Sequence, residues 1–197
     1  MCKTLSVAAA LVIGLCLQSS FVSAEEPQSD HRNVLMKLKL SVPENQKDRE
    51  YLGIKNSSGK MSLAQIRAEV LIIEIFSMYC PHCQKHAPTA NKLYHAIDSR
   101  KEFRDKIKYI GIGVGNSKYE VGIFKQKYSP PFPLFDDGAY TIANSLSGIG
   151  TPHYVGIRTD NGSKFEVFYS KSGGFTDAEE FLNMIVKESG IQRGGSR

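Results

Sequence analysis

Cys80-Pro81-His82-Cys83 follows the apolar run Val70–Phe76 after Ser77-Met78-Tyr79. Two thiols three residues apart at a strand-to-helix junction can close a disulfide within one helical turn and present one sulfur for attack. The remaining cysteines, Cys2 and Cys16, fall in a segment with the character of a removable leader. The processed chain then holds this pair alone, so the pair is either a redox couple or half of a metal site.

The first cysteine would sit at a helix N-terminus, beside unpaired backbone N–H groups and the positive end of the helix dipole, which favour thiolate. His82 adds a donor or a positive charge, and Cys83, one turn along, is less exposed. Cys80 is therefore the attacking and attacked sulfur and Cys83 the resolving one. Lowering the Cys80 pKa from about 8.5 to about 3.5 would raise its thiolate fraction at pH 7 only ~30-fold. Its nucleophilicity would fall ~100-fold or more, making a poorer attacker but a better leaving group. Couples of this kind span roughly −270 to −120 mV, about 7 kcal/mol, so the surrounding protein decides direction.

Glu74 is an acid inside an apolar strand, six positions before Cys80. Burial would raise its pKa and let it exchange a proton with Cys83; the alternative is a register that turns it to solvent. His82 and His86 could join the cysteines around a metal, but one compact cluster without a second Cys/His pair argues against structural zinc. No metal and no cofactor is expected, with copper binding the alternative, and His86 reads as an ordinary polar position. Thr151-Pro152 precedes a late strand. If it lies opposite the dithiol, a cis bond there would leave the Thr151 backbone free to pair with a substrate chain. Tyr79, Thr151 and His153 are expected to shape the docking surface.

The elements that must position these residues follow from periodicity. Residues 25–33 read as a polar arm, and the alternation Val34, Met36, Leu38, Leu40 predicts a strand. Residues 43–49 read as a connection and 51–54 as a short strand. Ser62 caps a helix to Ala68. Val70–Phe76 reads as a central strand buried on both faces. A helix follows over 81–99, with proline favoured in its first turn and Pro88 kinking it. Strand 107–114, helix 117–128, helix 140–146, and strands 154–158 and 165–169 joined through Asp160-Asn161-Gly162 come next. The terminal helix 176–189 opens on a Thr176/Glu179 capping box. This order predicts an α/β fold: a central mixed β-sheet flanked by helices, with an extra N-terminal strand segment.

Residues 1–24 have the parts of a secretory signal: Lys3, an apolar core from Leu5 to Leu17, and Val22-Ser23-Ala24 as a small-residue cleavage site. Cleavage after Ala24 and a periplasmic or otherwise exported location are expected, where a disulfide can persist. A retained anchor and lipid attachment at Cys16 are the alternatives, the latter opposed by the bulk of Leu15. With the leader cleaved, no stable membrane insertion is expected. Residues 25–50 would form an N-terminal extension, 51–189 the domain and 190–197 a disordered tail. The formal net charge of +5 falls by one with Lys3. There is no basic run with interleaved aromatics, so no nucleic-acid partner is expected.

The dithiol after a buried strand, the acid six residues earlier, Ala87-Pro88 in the following helix and Thr151-Pro152 before a late strand together resemble a thioredoxin-fold protein. The resemblance spans about residues 51–189. Tyr51-Leu52-Gly53-Ile54, Gly59-Lys60, Ser62-Leu63 and Phe132-Pro133-Leu134-Phe135-Asp136 look like the exported TlpA/ResA-like branch, thiol-disulfide oxidoreductases that act as reductants in cytochrome c maturation. It implies Cys80 as nucleophile, Cys83 as resolving thiol, Glu74 as proton relay and Thr151-Pro152 as the substrate-facing loop. It also implies protein thiol or disulfide substrates and a membrane or periplasmic redox partner. Tyr79 stands where the branch usually has Trp, and Pro81-His82 is the pair of DsbA-like oxidases. The rival readings are a copper-delivery module on the same fold and a peroxiredoxin-type peroxidase. Ser77-Met78-Tyr79-Cys80-Pro81 echoes the latter, but Ile73 occupies the place of its upstream proline.

Overall fold

Seven consecutive buried residues make Val70–Phe76 the middle strand of the molecule. The computed structural model describes residues 28–137, 140–145, 149–159 and 165–191. The expected leader, the Asp160-Asn161-Gly162 turn and the tail beyond residue 191 lie outside them. In chain order the elements are α1 (Gln28–Lys37), β1 (Lys39–Ser41), α2 (Gln46–Leu52), β2 (Lys60–Ser62), β3 (Val70–Phe76), α3 (Pro81–Asp98) and α4 (Lys101–Arg104). Then come β4 (Ile107–Gly113), α5 (Lys118–Tyr128), β5 (Leu134–Asp136), α6 (Thr141–Ser145), β6 (His153–Thr159), β7 (Phe165–Ser172) and α7 (Ala178–Ser189).

Five strands form the central sheet in the order β5-β4-β3-β6-β7. β3 is parallel to β4 and antiparallel to β6, so the sheet is mixed, as expected. Alternation along β3 divides the core. Leu71, Ile73 and Ile75 face a layer built from the N-terminal segment, including Leu35, Leu38, Leu40, Leu52 and Leu63. Val70 and Ile72 face Leu93 and Ile97 of α3 and Phe181, Leu182 and Ile185 of α7. Glu74 shares their parity and belongs to this second face.

The N-terminal segment departs from the period-two expectation. Residues 28–37 are helical, and Leu35 and Leu38, three apart, are the buried pair, whereas Met36 is 46% exposed. Alternate burial begins at Leu38 and runs through Leu40 and Val42, with β1 paired to β2. Residues 46–52 are a helix rather than a connection and a strand. The Asn45 side chain accepts from Asp48 N–H at 2.7 Å, and Gly53, at φ 70°, ends the helix in the left-handed conformation open to glycine. The Ser62 helix is a single 3₁₀ turn, Leu63–Gln65, held by a reciprocal Ser62/Gln65 capping box. β5, a strand that the periodicity did not predict, adds to the sheet edge parallel to β4. α7 is capped by Asp177, whose carboxylate accepts from Glu179 and Glu180 N–H, rather than by Thr176. Among the described residues, no helix is long and apolar enough to cross a membrane.

Candidate active site

β3 ends at Phe76, and the chain turns through Ser77-Met78-Tyr79 into α3, for which Cys80 is the N-cap residue. Two side chains hold that turn by one backbone unit. Asn116 Oδ1 accepts the Met78 N–H at 2.8 Å, and Gln84 Nε2 donates to the Met78 carbonyl at 2.7 Å. Asn116 is buried and comes from the loop after β4, so the dithiol turn is fixed from the neighbouring strand. Neither residue was singled out from sequence, because isolated amides carry no spacing signal.

Cys80 and Cys83 are free thiols in unequal surroundings. Cys83 is fully buried, and burial pushes its thiol up to about 12. Cys80 is half-buried; its sulfur accepts from Cys83 N–H at 3.4 Å and lies 3.2 Å from the Thr151 carbonyl, to which the thiol donates. Burial opposes its ionisation. Hydrogen bonds to the Thr151 side chain, to Cys83 and to the His82 backbone outweigh that, so its pKa is lowered. The thiolate-stabilising group of His82 is thus its backbone N–H; the residue itself is exposed.

Thr151–Pro152 is a cis peptide bond, and the Cys80 contact puts it opposite the dithiol. The Pro152 carbonyl accepts from Gly173 N–H at 2.8 Å, tying the loop to the end of β7. Thr151 is half-buried and Pro152 buried. Tyr79 is 64% exposed beside Cys80, its hydroxyl bonded to Glu120 at the start of α5. His153 is not part of a docking surface: it is buried, and its ring nitrogens meet the Ser170 and Ser172 hydroxyls at 2.8 and 2.9 Å.

Glu74 is turned inward and buried, and burial raises its pKa to about 7 against the hydrogen bonds it receives. Tyr109 Oη donates to Glu74 Oε2 at 2.6 Å, and the Tyr109 and Tyr154 hydroxyls are 3.4 Å apart. Register explains the grouping. Tyr154 is the β6 partner of Glu74, and Tyr109 pairs with Ile72 on β4, all on one sheet face. The Tyr154 hydroxyl feels both the Glu74 carboxylate and the Cys83 sulfur. His86 is half-buried rather than an open polar position, and its Nε2 lies 3.0 Å from Tyr154 Oη. Tyr109, Tyr154 and His86 were missed as site residues because each lies on a different element and meets the others only across the sheet. Among the described residues, no group of three or more His, Cys, Asp or Glu side chains gathers as a metal site.

The AhpC/TSA family model matches residues 40–161, more than half of the chain. The chain belongs to the AhpC/TSA family. A relative within reach of direct comparison is the thiol-disulfide oxidoreductase ResA of Halalkalibacterium halodurans, 21% identical over 132 residues, covering 66% of this chain and 69% of the relative. Among solved structures, a secreted Mycobacterium tuberculosis disulfide oxidoreductase homologous to Escherichia coli DsbE matches with TM-score 0.52 at 14% identity. It covers 79% of this chain and 98% of its own. MTB DsbF, in mixed oxidised and reduced forms, matches with TM-score 0.54 at 12% identity, covering 79% and 97%. This AhpC/TSA member therefore has a thioredoxin-like fold.

Proposed function

We propose that the chain is an exported enzyme that exchanges disulfides with protein substrates through Cys80 and Cys83. The observation that carries the reading is the inequality of the two sulfurs. Cys80 is reachable and favoured as thiolate at the helix start, whereas Cys83 is fully buried and held as a thiol.

In the reducing direction, the Cys80 thiolate attacks one sulfur of a substrate disulfide. A Cys80–substrate bond forms, the substrate S–S bond breaks, and one substrate thiolate leaves. Cys83 then gives its proton to Glu74 and attacks Cys80 Sγ. The Cys80–Cys83 disulfide forms, the second substrate thiolate leaves to be protonated by solvent, and two electrons have passed to the substrate. A thiol near 12 needs a base, and a buried carboxylate near 7 on the same face of the sheet is suited to that task. A membrane or exported redox partner returns the couple to the dithiol; run backwards, the same steps donate a disulfide.

The remaining roles follow from position. His82 supports the thiolate through its backbone N–H, Tyr79 flanks the sulfur, and Thr151-Pro152 presents its backbone to the substrate chain. The leader over residues 1–24 delivers the protein to an oxidising compartment. Removing the resolving thiol tests the reading. Cys83→Ala is expected to accumulate mixed disulfides with substrate proteins through Cys80, seen as thiol-sensitive bands on a gel, and Cys80→Ala to form none. Absence of adducts in both variants, together with rapid thiol-dependent consumption of peroxide by the wild type, would turn the reading to a peroxidase.

A further inference from the structure

If Glu74 is the base for Cys83, as proposed above, a carboxyl that starts the cycle protonated must first give up its proton, and burial raises its pKa to about 7. Glu74 is 4% exposed, so it does not meet bulk water directly. The hydrogen bonds around it lead one way. From Glu74 Oε2 the contacts run to Tyr109 Oη at 2.6 Å, to Tyr154 Oη at 3.4 Å and to His86 Nε2 at 3.0 Å. Both tyrosines are buried and held far above the usual phenol range, chiefly by desolvation, so they stay neutral and can each accept one proton while giving another. His86 is the first member of the series that reaches partial exposure.

The surroundings of His86 fit a port. Its ring stands edge-on to Phe175 at 4.7 Å and to Tyr154 at 5.8 Å, which fixes its plane. The groups that face it are the Tyr154 hydroxyl from β6 and the Phe175 ring from the loop after β7. Cys83 lies one turn back on α3. Burial depresses the His86 pKa, and no charged neighbour enters as a cause. Over the ring's other nitrogen lies Gly174, an exposed residue: a Cβ there would sit 2.7 Å from His86 Nδ1. Only glycine allows this close approach to the ring, and Gly173 and Thr176 beside it are exposed as well.

We propose that His86, through the Tyr154 hydroxyl, is the solvent end of a proton path that serves Glu74. Outward transfer balances at each atom. The Glu74 carboxyl gives its proton to Tyr109 Oη, Tyr109 passes its own to Tyr154 Oη, and Tyr154 passes its own to His86 Nε2. His86 releases the proton on Nδ1 to water and is left as the other neutral tautomer. Uptake of a proton from water at Nδ1 gives the imidazolium, and loss of the Nε2 proton then restores the starting tautomer, with no electron moved.

The test is stopped-flow release of the second thionitrobenzoate from reduced protein mixed with 5,5′-dithiobis(2-nitrobenzoate), which times resolution of the Cys80 adduct by Cys83. Glu74→Gln tests the base itself and is expected to slow this step about 100-fold. His86→Ala is expected to slow this step about tenfold at about pH 6, where Glu74 starts protonated, with added imidazole restoring it and leaving wild type unchanged. His86→Gln, which keeps bulk and a hydrogen bond to Tyr154, is expected to remain slow. Full speed in His86→Gln, or a slow His86→Ala that imidazole does not rescue, would reduce His86 to a packing role and overturn the path. A fast Glu74→Gln would instead overturn the base on which it rests.

Discussion

In an unfolded chain the Glu74 carboxyl titrates near 4.5, whereas burial in the fold raises it to about 7. Between those values the folded state holds a proton that the unfolded state has released, so stability falls as pH rises through that window. Below 4.5 no penalty is present; above 7 the whole of it is, about 3 kcal/mol at 1.36 kcal/mol per unit. Glu74→Gln keeps an acceptor for the Tyr109 hydroxyl and removes the charge. It is expected to match wild type in denaturant unfolding at pH 4 and to exceed it by about 3 kcal/mol at pH 8. Parallel pH profiles for the two proteins would mean that the carboxyl is not buried as described. The same residue supplies the proposed base for Cys83, so the cost in stability and the gain in chemistry share one side chain.

At the scale of elements, the reactive turn depends on the loop between β4 and α5. Asn116 pairs with the Met78 N–H from a buried position, so Asn116→Ala leaves that donor without its partner. A loss of about 1–3 kcal/mol is expected by urea denaturation. Adduct formation at Cys80 is expected to slow with it, because the helix start is no longer held against β4. The elements nearest this turn were legible beforehand: the unbroken run Val70–Phe76, the proline at the first position of α3, and Ser117 opening the helix that runs to Tyr128. The dithiol, Glu74 and Thr151-Pro152 were legible for the same reason, since each has a fixed offset from an element boundary. The N-terminal helices were not. Leu35 and Leu38 are buried at a helical spacing that Met36 and Leu40 disguise as alternation, and Gly53 reads equally as a turn or a helix stop. The Tyr109–Tyr154–His86 series could not be read at all, because strand register alone brings three distant positions to one face.

Over the whole molecule, the N-terminal segment closes one side of the sheet. Leu35, Leu38, Leu40 and Leu52 lie in the same core as Leu71, Ile73 and Ile75, and Arg32 Nε donates to the Phe165 carbonyl at 2.9 Å. Removal of residues 1–42 would uncover an apolar sheet face and is expected to give an aggregating or dye-binding protein, whereas removal of residues 1–24 should leave cooperative unfolding intact. Leu35→Ala, at a fully buried site, is expected to cost about 2–5 kcal/mol in the same unfolding assay. The sheet, so covered, presents the dithiol at one end with the Thr151-Pro152 loop against it, and the account stands on that pair being a reversible couple. The measurement that tests it most directly is the reduction potential of Cys80–Cys83 by equilibration against glutathione, with alkylation reporting each thiol. The account predicts reversible oxidation with a potential in the range of about −270 to −120 mV and Cys80 as the first sulfur to react. A potential below about −300 mV with an inert Cys80 would make the bond a structural one and contradict the account.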